Sequence, residues 1–176
     1  MIENIQVLAH SAVRITTPEG KVLYFDPFMV ETEYHDASAI FLTHDHYDHF
    51  SPEDFAKVTC ENTPVVAPAT IVNHLLEEGI AAERIIALKP GDTTEVEGIP
   101  VEAVPAYNVG KKFHPQPNEW LGYVVTVGGE RCYVAGDTDA NPDVLQVSCD
   151  IAMIPVGGTY TTNPAEAAAW INAIRP

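Results

Sequence analysis

An α/β layered domain is the fold class that this sequence predicts. Short strand-like runs bounded by turn residues recur along the 176-residue chain, and helix-like segments with capping signals lie between some of them. The length suits one domain with a core of its own. We therefore expect a single domain over residues 1–176, although the order of its strands cannot be read from the pattern.

The first part of the chain is mostly strand-like. Apolar runs predict strands over 4–9, 12–16 and 21–25, and the stretch TPEG at 17–20 predicts a hairpin turn after the second of them. A further apolar run at 38–42 predicts a buried strand. This strand leads directly into a cluster of histidines.

The segment SPEDFAKV after the cluster predicts a helix. Ser51 suits the N-cap position and Pro52 suits the first helical position. Glu53 and Asp54 then place negative charge at the positive end of the helix dipole.

The rest of the chain continues the alternation of strands and helices. TPVVAP predicts a strand, and ATIVNHLLEEG predicts a helix that ends at Gly79. The last helix, within TNPAEAAAWINAI, has Asn163 as its expected cap, followed by Pro164 and Glu166. Strand segments are predicted between these two helices at 84–88, 93–106, 121–127, 131–137 and 149–158.

Composition narrows the choice of partner and compartment. Nine basic against 25 acidic residues give a formal charge of −16, which repels phosphate backbones and anionic membrane surfaces. We expect no nucleic-acid partner. The N-terminal stretch resembles no secretion signal, and no apolar run is long enough to span a membrane. The three cysteines are widely spaced, which favours reduced thiols and a cytoplasmic location, with Cys132 as a core residue.

The stretch FLTHDHYDHF, residues 41–50, carries the strongest chemical signal. His44 and His46 point the same way in an extended segment, and Asp48 and His49 follow as the chain turns towards a helix. Neutral imidazoles with a carboxylate suit a cation such as zinc, and four donors in six residues favour two adjacent ions. The alternative is a polar loop whose histidines face water.

A second element, YVAGDTD, places Asp137 at the end of an apolar strand, directly after Gly136. A carboxylate at this position can bridge two metal ions. Alone, it is more typical of an aspartate that caps a turn. The histidine cluster favours the metal role.

Together, THDHYDH and AGDTD resemble the metallo-β-lactamase superfamily, whose signature is His-x-His-x-Asp-His with a distal bridging aspartate. AHSAVRI, YFDPF and PVGGTYT resemble its branch of metal-dependent hydrolases, which is similar to the L-ascorbate-6-phosphate lactonases. The resemblance implies an αββα sandwich of two mixed sheets flanked by helices. It also implies that His44 and His46 hold one metal, that Asp48 and His49 hold a second, and that Asp137 bridges them.

Two ligands that the resemblance implies are not in their usual places. The position expected for a further histidine is Asn108, a weak zinc ligand, and His114 lies six residues beyond it. His114 could be the substitute ligand, a proton donor near the substrate, or a surface residue. The final family histidine should follow one more strand, so the domain is expected to lack its C-terminal strand, through truncation or through loss of that ligand.

Two more residues match family positions. Asp26 could orient a ligand histidine through its far ring nitrogen, or could be a hydrogen-bonded turn residue before Pro27. His10 could lie beside the metals, contact substrate, or be structural. Lys111 flanks His114 and could meet an anionic substrate group.

These observations predict a metal-dependent hydrolase that acts on a small-molecule ester, lactone or phosphoester through a metal-activated water. The expected cofactor is one or two Zn²⁺ ions, with Mn²⁺ as an alternative. Asp48 is the candidate for accepting a proton from that water, and His114 is a second catalytic candidate. The competing hypothesis is a non-catalytic or degenerate metal-binding scaffold. Oligomeric state stays open, and a homo-oligomer is compatible with the sequence.

Overall fold

The computed structural model describes residues 4–176 of the chain. The chain divides into two compact units, the first extending to Leu88 and the second spanning Lys89–Pro176. Each unit contains one mixed β-sheet and at least one helix, which confirms the predicted α/β class. The expectation of a single domain stays a prediction, and the two units are described separately below.

The first unit is built on a six-stranded sheet in which the strands follow one another in chain order. The first three strands pair antiparallel and the last three join them in parallel. Strands β3 and β4 are fully buried because they lie in the middle of the sheet. The strands are β1 Ile5–Ala9, β2 Ala12–Thr16, β3 Val22–Phe25, β4 Ala39–Phe41, β5 Val65–Pro68 and β6 Ile85–Leu88.

Helix α1, Pro52–Val58, begins where the sequence predicts. The Ser51 hydroxyl accepts a hydrogen bond from the backbone N–H of Asp54 at 3.2 Å, so the predicted N-cap is confirmed. Phe55 and Val58 bury the inner face of this short helix. The helix therefore has a fixed start, which also anchors the preceding loop.

The next predicted helix is divided in the structure. A 3₁₀ turn at Ala69–Ile71 precedes α2, Val72–Glu77, and Ile71 offers no side-chain cap. The predicted stop is confirmed, because Gly79 takes the left-handed conformation with φ +87°.

The second unit is built on a five-stranded sheet in the order β11-β10-β9-β8-β7. All neighbours pair antiparallel except β10 and β11, which are parallel. The tight turn at Glu97 and Gly98 has positive φ at both residues, as two-residue hairpins prefer. The strands are β7 Thr93–Val96, β8 Ile99–Pro105, β9 Leu121–Val127, β10 Glu130–Val134 and β11 Ile151–Met153.

Helix α3, Pro164–Ile174, covers part of this sheet. Asn163 and Glu166 form the reciprocal capping box that the sequence predicts. Trp170 is buried, and its ring meets that of Tyr133 with centroids 6.2 Å apart. Across residues 4–176, no helix is both long and apolar enough to cross a membrane.

Candidate metal centre

The histidine cluster lies in the loop between β4 and α1 of the first unit. The strand before it is buried in a parallel part of the sheet, and the helix after it is capped by Ser51. Loops at the carboxyl ends of parallel strands are common ligand sites, because rigid strands position them. The loop is thus held at both ends.

The three histidine rings of this loop lie together. The ring centroid of His44 is 4.6 Å from that of His46 and 4.0 Å from that of His49. Nε2 of His44 and Nδ1 of His46 approach to 3.1 Å. The loop therefore brings imidazole nitrogens to one place, as the motif predicts.

Asp26 fixes the ring of one of these histidines directly and that of another through Thr43. It is buried, and its carboxylate accepts hydrogen bonds from the backbone N–H of Thr43 at 2.7 Å and the Thr43 hydroxyl at 2.6 Å. Nδ1 of His49 lies 2.8 Å from the same carboxylate. Because a carboxylate only accepts, His49 donates its Nδ1–H and keeps its lone pair on Nε2.

The Thr43 hydroxyl extends the same arrangement to His44. Its hydrogen goes to Asp26, so it can only accept from Nδ1 of His44, which is 3.0 Å away. His44 therefore also carries its lone pair on Nε2. A carboxylate that fixes the tautomer of a ligand histidine is typical of metal sites.

A second donor group surrounds Asp48. One ligand atom each of His10, Asp48 and His49 lies within 4.8 Å of the others. His49 is fully buried, Asp48 is partly buried, and His10 is the most exposed of the three. Neutral imidazoles with a carboxylate are the donors that Zn²⁺ takes in proteins, so the residues of this loop fit a divalent ion.

In the second unit, Asn108 and His114 form a closely bonded pair. The Asn108 side-chain oxygen accepts from the backbone N–H of His114 at 2.9 Å and lies 3.0 Å from its Nδ1. The Asn108 amide nitrogen donates to the backbone oxygen of Tyr160 at 2.9 Å. The amide of Asn108 is thus committed within its own unit, and it holds the ring of the buried His114.

His114 directs its other nitrogen towards Asp137. Nε2 of His114 lies 3.3 Å from Oδ2 of Asp137. Asp137 follows β10 after Gly136, whose φ of +64° turns the chain in a conformation that suits glycine. The second unit therefore presents one imidazole and one carboxylate side by side.

Three contacts near these residues were not foreseen. Nδ1 of His74 lies 3.2 Å from Oδ2 of Asp45 within the histidine motif. Lys111 donates to Oδ1 of Asp139 at 2.6 Å and to the Thr161 backbone oxygen at 2.7 Å. Lys111 is thus engaged inside its own unit. No local sequence pattern predicts these contacts, because each one joins residues that are far apart in the sequence.

Among residues 4–176, the groups of side chains that could hold a metal ion include no cysteine. Cys132 is fully buried, as expected of a core residue. Burial, together with the nearby carboxylates Glu130 and Asp150, raises the pKa of its thiol to about 11. A thiol that stays protonated at neutral pH is a poor nucleophile and a poor metal ligand.

Comparison with known proteins identifies the family. A family model described as the β-lactamase superfamily domain matches residues 19–176. The chain belongs to the metallo-β-lactamase superfamily. This confirms the family that the histidine motif and Asp137 predict, whereas the closer likeness to ascorbate-6-phosphate lactonases stays a prediction.

Relatives in this superfamily match over nearly the whole chain. A protein of Thermoplasma acidophilum is 32% identical over 99% of this chain and 81% of its own length. One of Thermococcus onnurineus is 31% identical over 98% of this chain and 80% of its own. Both are named metal-dependent hydrolase. A crystal structure of a candidate metal-dependent hydrolase from Parabacteroides distasonis has 30% identity and a TM-score of 0.84, covering 96% of this chain and 76% of that one.

Proposed function

We propose that this protein is a zinc-dependent hydrolase of a small-molecule ester, lactone or phosphoester. The observation that carries the proposal is the convergence of the His44, His46 and His49 rings in one anchored loop. Two relatives named metal-dependent hydrolase support the reaction class. The choice of zinc rests on the imidazole-rich donor set, since Mn²⁺ favours oxygen donors.

The proposed ligand roles follow the family pattern. His44 and His46 hold one ion, Asp48 and His49 hold a second, and Asp137 is the carboxylate shared between them. A divalent ion, when bound, lowers the pKa of a water molecule towards about 7 and polarises the group under attack. The remaining tasks, metal ligation and proton transfer, are assigned to side chains of this chain.

We propose that His114, rather than Asn108, supplies the third nitrogen ligand of the first ion. The Asn108 amide is committed to His114 and Tyr160, and an amide is in any case a weak zinc ligand. The hydrogen bond to Asn108 leaves the lone pair of His114 on Nε2, the atom that meets Asp137. If His114 is not a ligand, its imidazolium form carries a proton on the same nitrogen and could pass it to a leaving group.

Asp48 is the proposed proton acceptor. Its carboxylate is partly exposed, with 26% of the side chain accessible, so one oxygen can bind an ion while the other meets solvent. A carboxylate in this position takes the proton that the attacking water loses. The buried Asp26 is unsuited to this task, because its oxygens are occupied by Thr43 and His49.

We place the enzyme in the cytoplasm on the basis of its thiols. Cys60, Cys132 and Cys149 are all free cysteines. Unpaired thiols are typical of reducing compartments.

Turnover of simple substrates tests the proposal. Protein loaded with Zn²⁺ is assayed on a generic phosphodiester, a lactone and an aryl ester, beside the variants His46→Ala and His35→Ala. We expect hydrolysis of at least one substrate, its loss in His46→Ala, and its retention in His35→Ala, because His35 contacts Glu33 rather than the cluster. Metal binding without turnover on the whole panel would favour a non-catalytic scaffold.

A further inference from the structure

His10 is held in an unusual conformation at the tip of the turn between β1 and β2. Its φ is +49°, a left-handed conformation that few residues other than glycine adopt. Its ring meets those of Phe28 and His49 edge-on, with both centroid distances at 5.7 Å. The turn thus places the imidazole of His10 at the edge of the histidine cluster within the first unit.

One hydrogen bond indicates which nitrogen of His10 can carry a lone pair. Nδ1 of His10 lies 2.7 Å from the Ser11 hydroxyl oxygen, which can accept its hydrogen. In that tautomer the lone pair of His10 is on Nε2. The Ser11 hydroxyl also lies 3.3 Å from Nε2 of His49, so Ser11 contacts both rings.

This lone pair is directed at Asp48. Nε2 of His10 lies 3.6 Å from Oδ2 of Asp48, so two electron-rich atoms face each other. A separation of 3.6 Å is too long for a hydrogen bond, and a cation between the two atoms would make their approach favourable. Ligands of a tetrahedral zinc ion, at about 2.0–2.1 Å from the metal, are roughly 3.3 Å apart, close to this separation.

We propose that His10 is a protein ligand of the ion held by Asp48 and His49, completing a His10–Asp48–His49 site within the first unit. The proposal rests on the proposed function, because it completes the second of its two metal positions. It differs from a role of His10 in contacting substrate or in pairing with Asp48 as an imidazolium. In either of those roles His10 does not bind the ion, and the first unit supplies only Asp48 and His49 as its ligands.

Metal affinity in matched variants tests this assignment. Metal-free wild-type protein, His10→Asn and His35→Asn are titrated with Zn²⁺ against a chromophoric chelator. His35 is the control because it is also an exposed histidine with positive φ, 46°, and has a carboxylate 3.8 Å from its ring. Asparagine tolerates the left-handed conformation, so both substitutions keep the turn.

We expect His10→Asn to weaken one zinc site by more than the roughly 10–100-fold that loss of a group merely supporting a ligand costs. His35→Asn should bind as the wild type does. Wild-type affinity in His10→Asn overturns the assignment but leaves the hydrolase proposal standing. Failure of the wild type to bind zinc at all overturns both.

A direct measurement on the unaltered protein guards against a variant that does not fold. With ¹¹³Cd²⁺ in place of zinc and ¹⁵N-labelled histidine, a ligand nitrogen shows scalar coupling to the metal. Coupling at Nε2 of His10, together with coupling at Nε2 of His49, supports the site. Coupling at His49 without coupling at His10 shows that His10 is not a ligand.

Discussion

Asp26 is a buried residue that contacts the histidine cluster directly. It has φ +45°, and its carboxylate meets both Thr43 and His49 from a buried position. A strained, buried acid that fixes ring tautomers has a function beyond packing. The sequence predicts Asp26 as a candidate for this role. It does not reveal Thr43, whose hydroxyl joins Asp26 to His44 and so fixes the tautomer of His44 as well.

Replacing Asp26 should therefore weaken metal binding. Asp26→Asn keeps the shape but can offer only one acceptor oxygen, so His49 loses its fixed tautomer. We expect zinc affinity to fall by about 10–100-fold, measured by chelator competition. Asp36→Asn is the control, because Asp36 bonds Arg14 and Tyr24 instead of the cluster. Equal zinc affinity in both variants would contradict the orienting role.

The sequence predicts only some of the residue contacts in the candidate site. His44, His46, Asp48 and His49 lie within six consecutive positions, so the geometry of one loop brings them near one another. The sequence does not reveal the contact between Asn108 and His114, because that contact depends on how the intervening loop closes. The contact of His74 with Asp45 joins residues 29 positions apart, which no local pattern reveals.

Among the elements, helix α1 also holds the loop that follows β3. Asp54 accepts from the backbone N–H groups of Met29 and Val30 at 2.9 and 3.0 Å, and from Lys57 at 2.9 Å. Burial alone would raise the pKa of Asp54, but hydrogen bonds from Lys57, Ser51 and these two backbone groups outweigh it and lower the pKa. The ionised carboxylate therefore stabilises the fold.

The pH dependence of this contribution has a definite sign. Because the folded pKa lies below the ordinary value of 3.8, stability from Asp54 is present above that value and is lost as pH falls through the folded pKa. Asp54→Asn should lower the free energy of unfolding at pH 7 by about 1.5–3 kcal/mol, with a smaller difference near pH 3. Urea unfolding at both pH values measures it.

The neighbouring Glu53 supplies the control for this prediction. Its side chain is 85% exposed and meets Lys57 only at 3.4 Å, so Glu53→Gln should change stability little. If Asp54→Asn were no more destabilising than Glu53→Gln at pH 7, the proposed anchoring of the loop would be wrong.

The elements themselves were predicted where their signals are local. Ser51 and Asn163 cap their helices as expected, since a cap requires only residues within one turn. Strand β11 is shorter than the predicted run at 149–158. Its pairing with β10 covers only Ile151–Met153, and Pro155, Gly157 and Gly158 follow, residues that suit loops. Strand order came only from the structure, because it depends on long-range pairing.

At the scale of the whole molecule, the charge of −16 governs the choice of partner. A field of this sign repels polyanions at distances up to about 10 Å at 0.1 M salt. We expect no saturable binding to single-stranded RNA at protein concentrations up to roughly 10⁻⁴ M, where non-specific binders are normally detected. Fluorescence anisotropy at low salt measures this. Binding that weakens steeply with added salt would reveal a basic surface that the composition hides.

The proposed function requires that the loop beginning at His44 holds a divalent ion. Its most direct test is the zinc content of the protein after reconstitution and desalting, for the wild type, a His44→Ala/His46→Ala double variant and His35→Ala. The wild type and His35→Ala should each retain at least one zinc per chain, and the double variant should retain less. A wild-type protein that keeps no divalent metal, or a double variant that keeps as much as the wild type, would contradict the account.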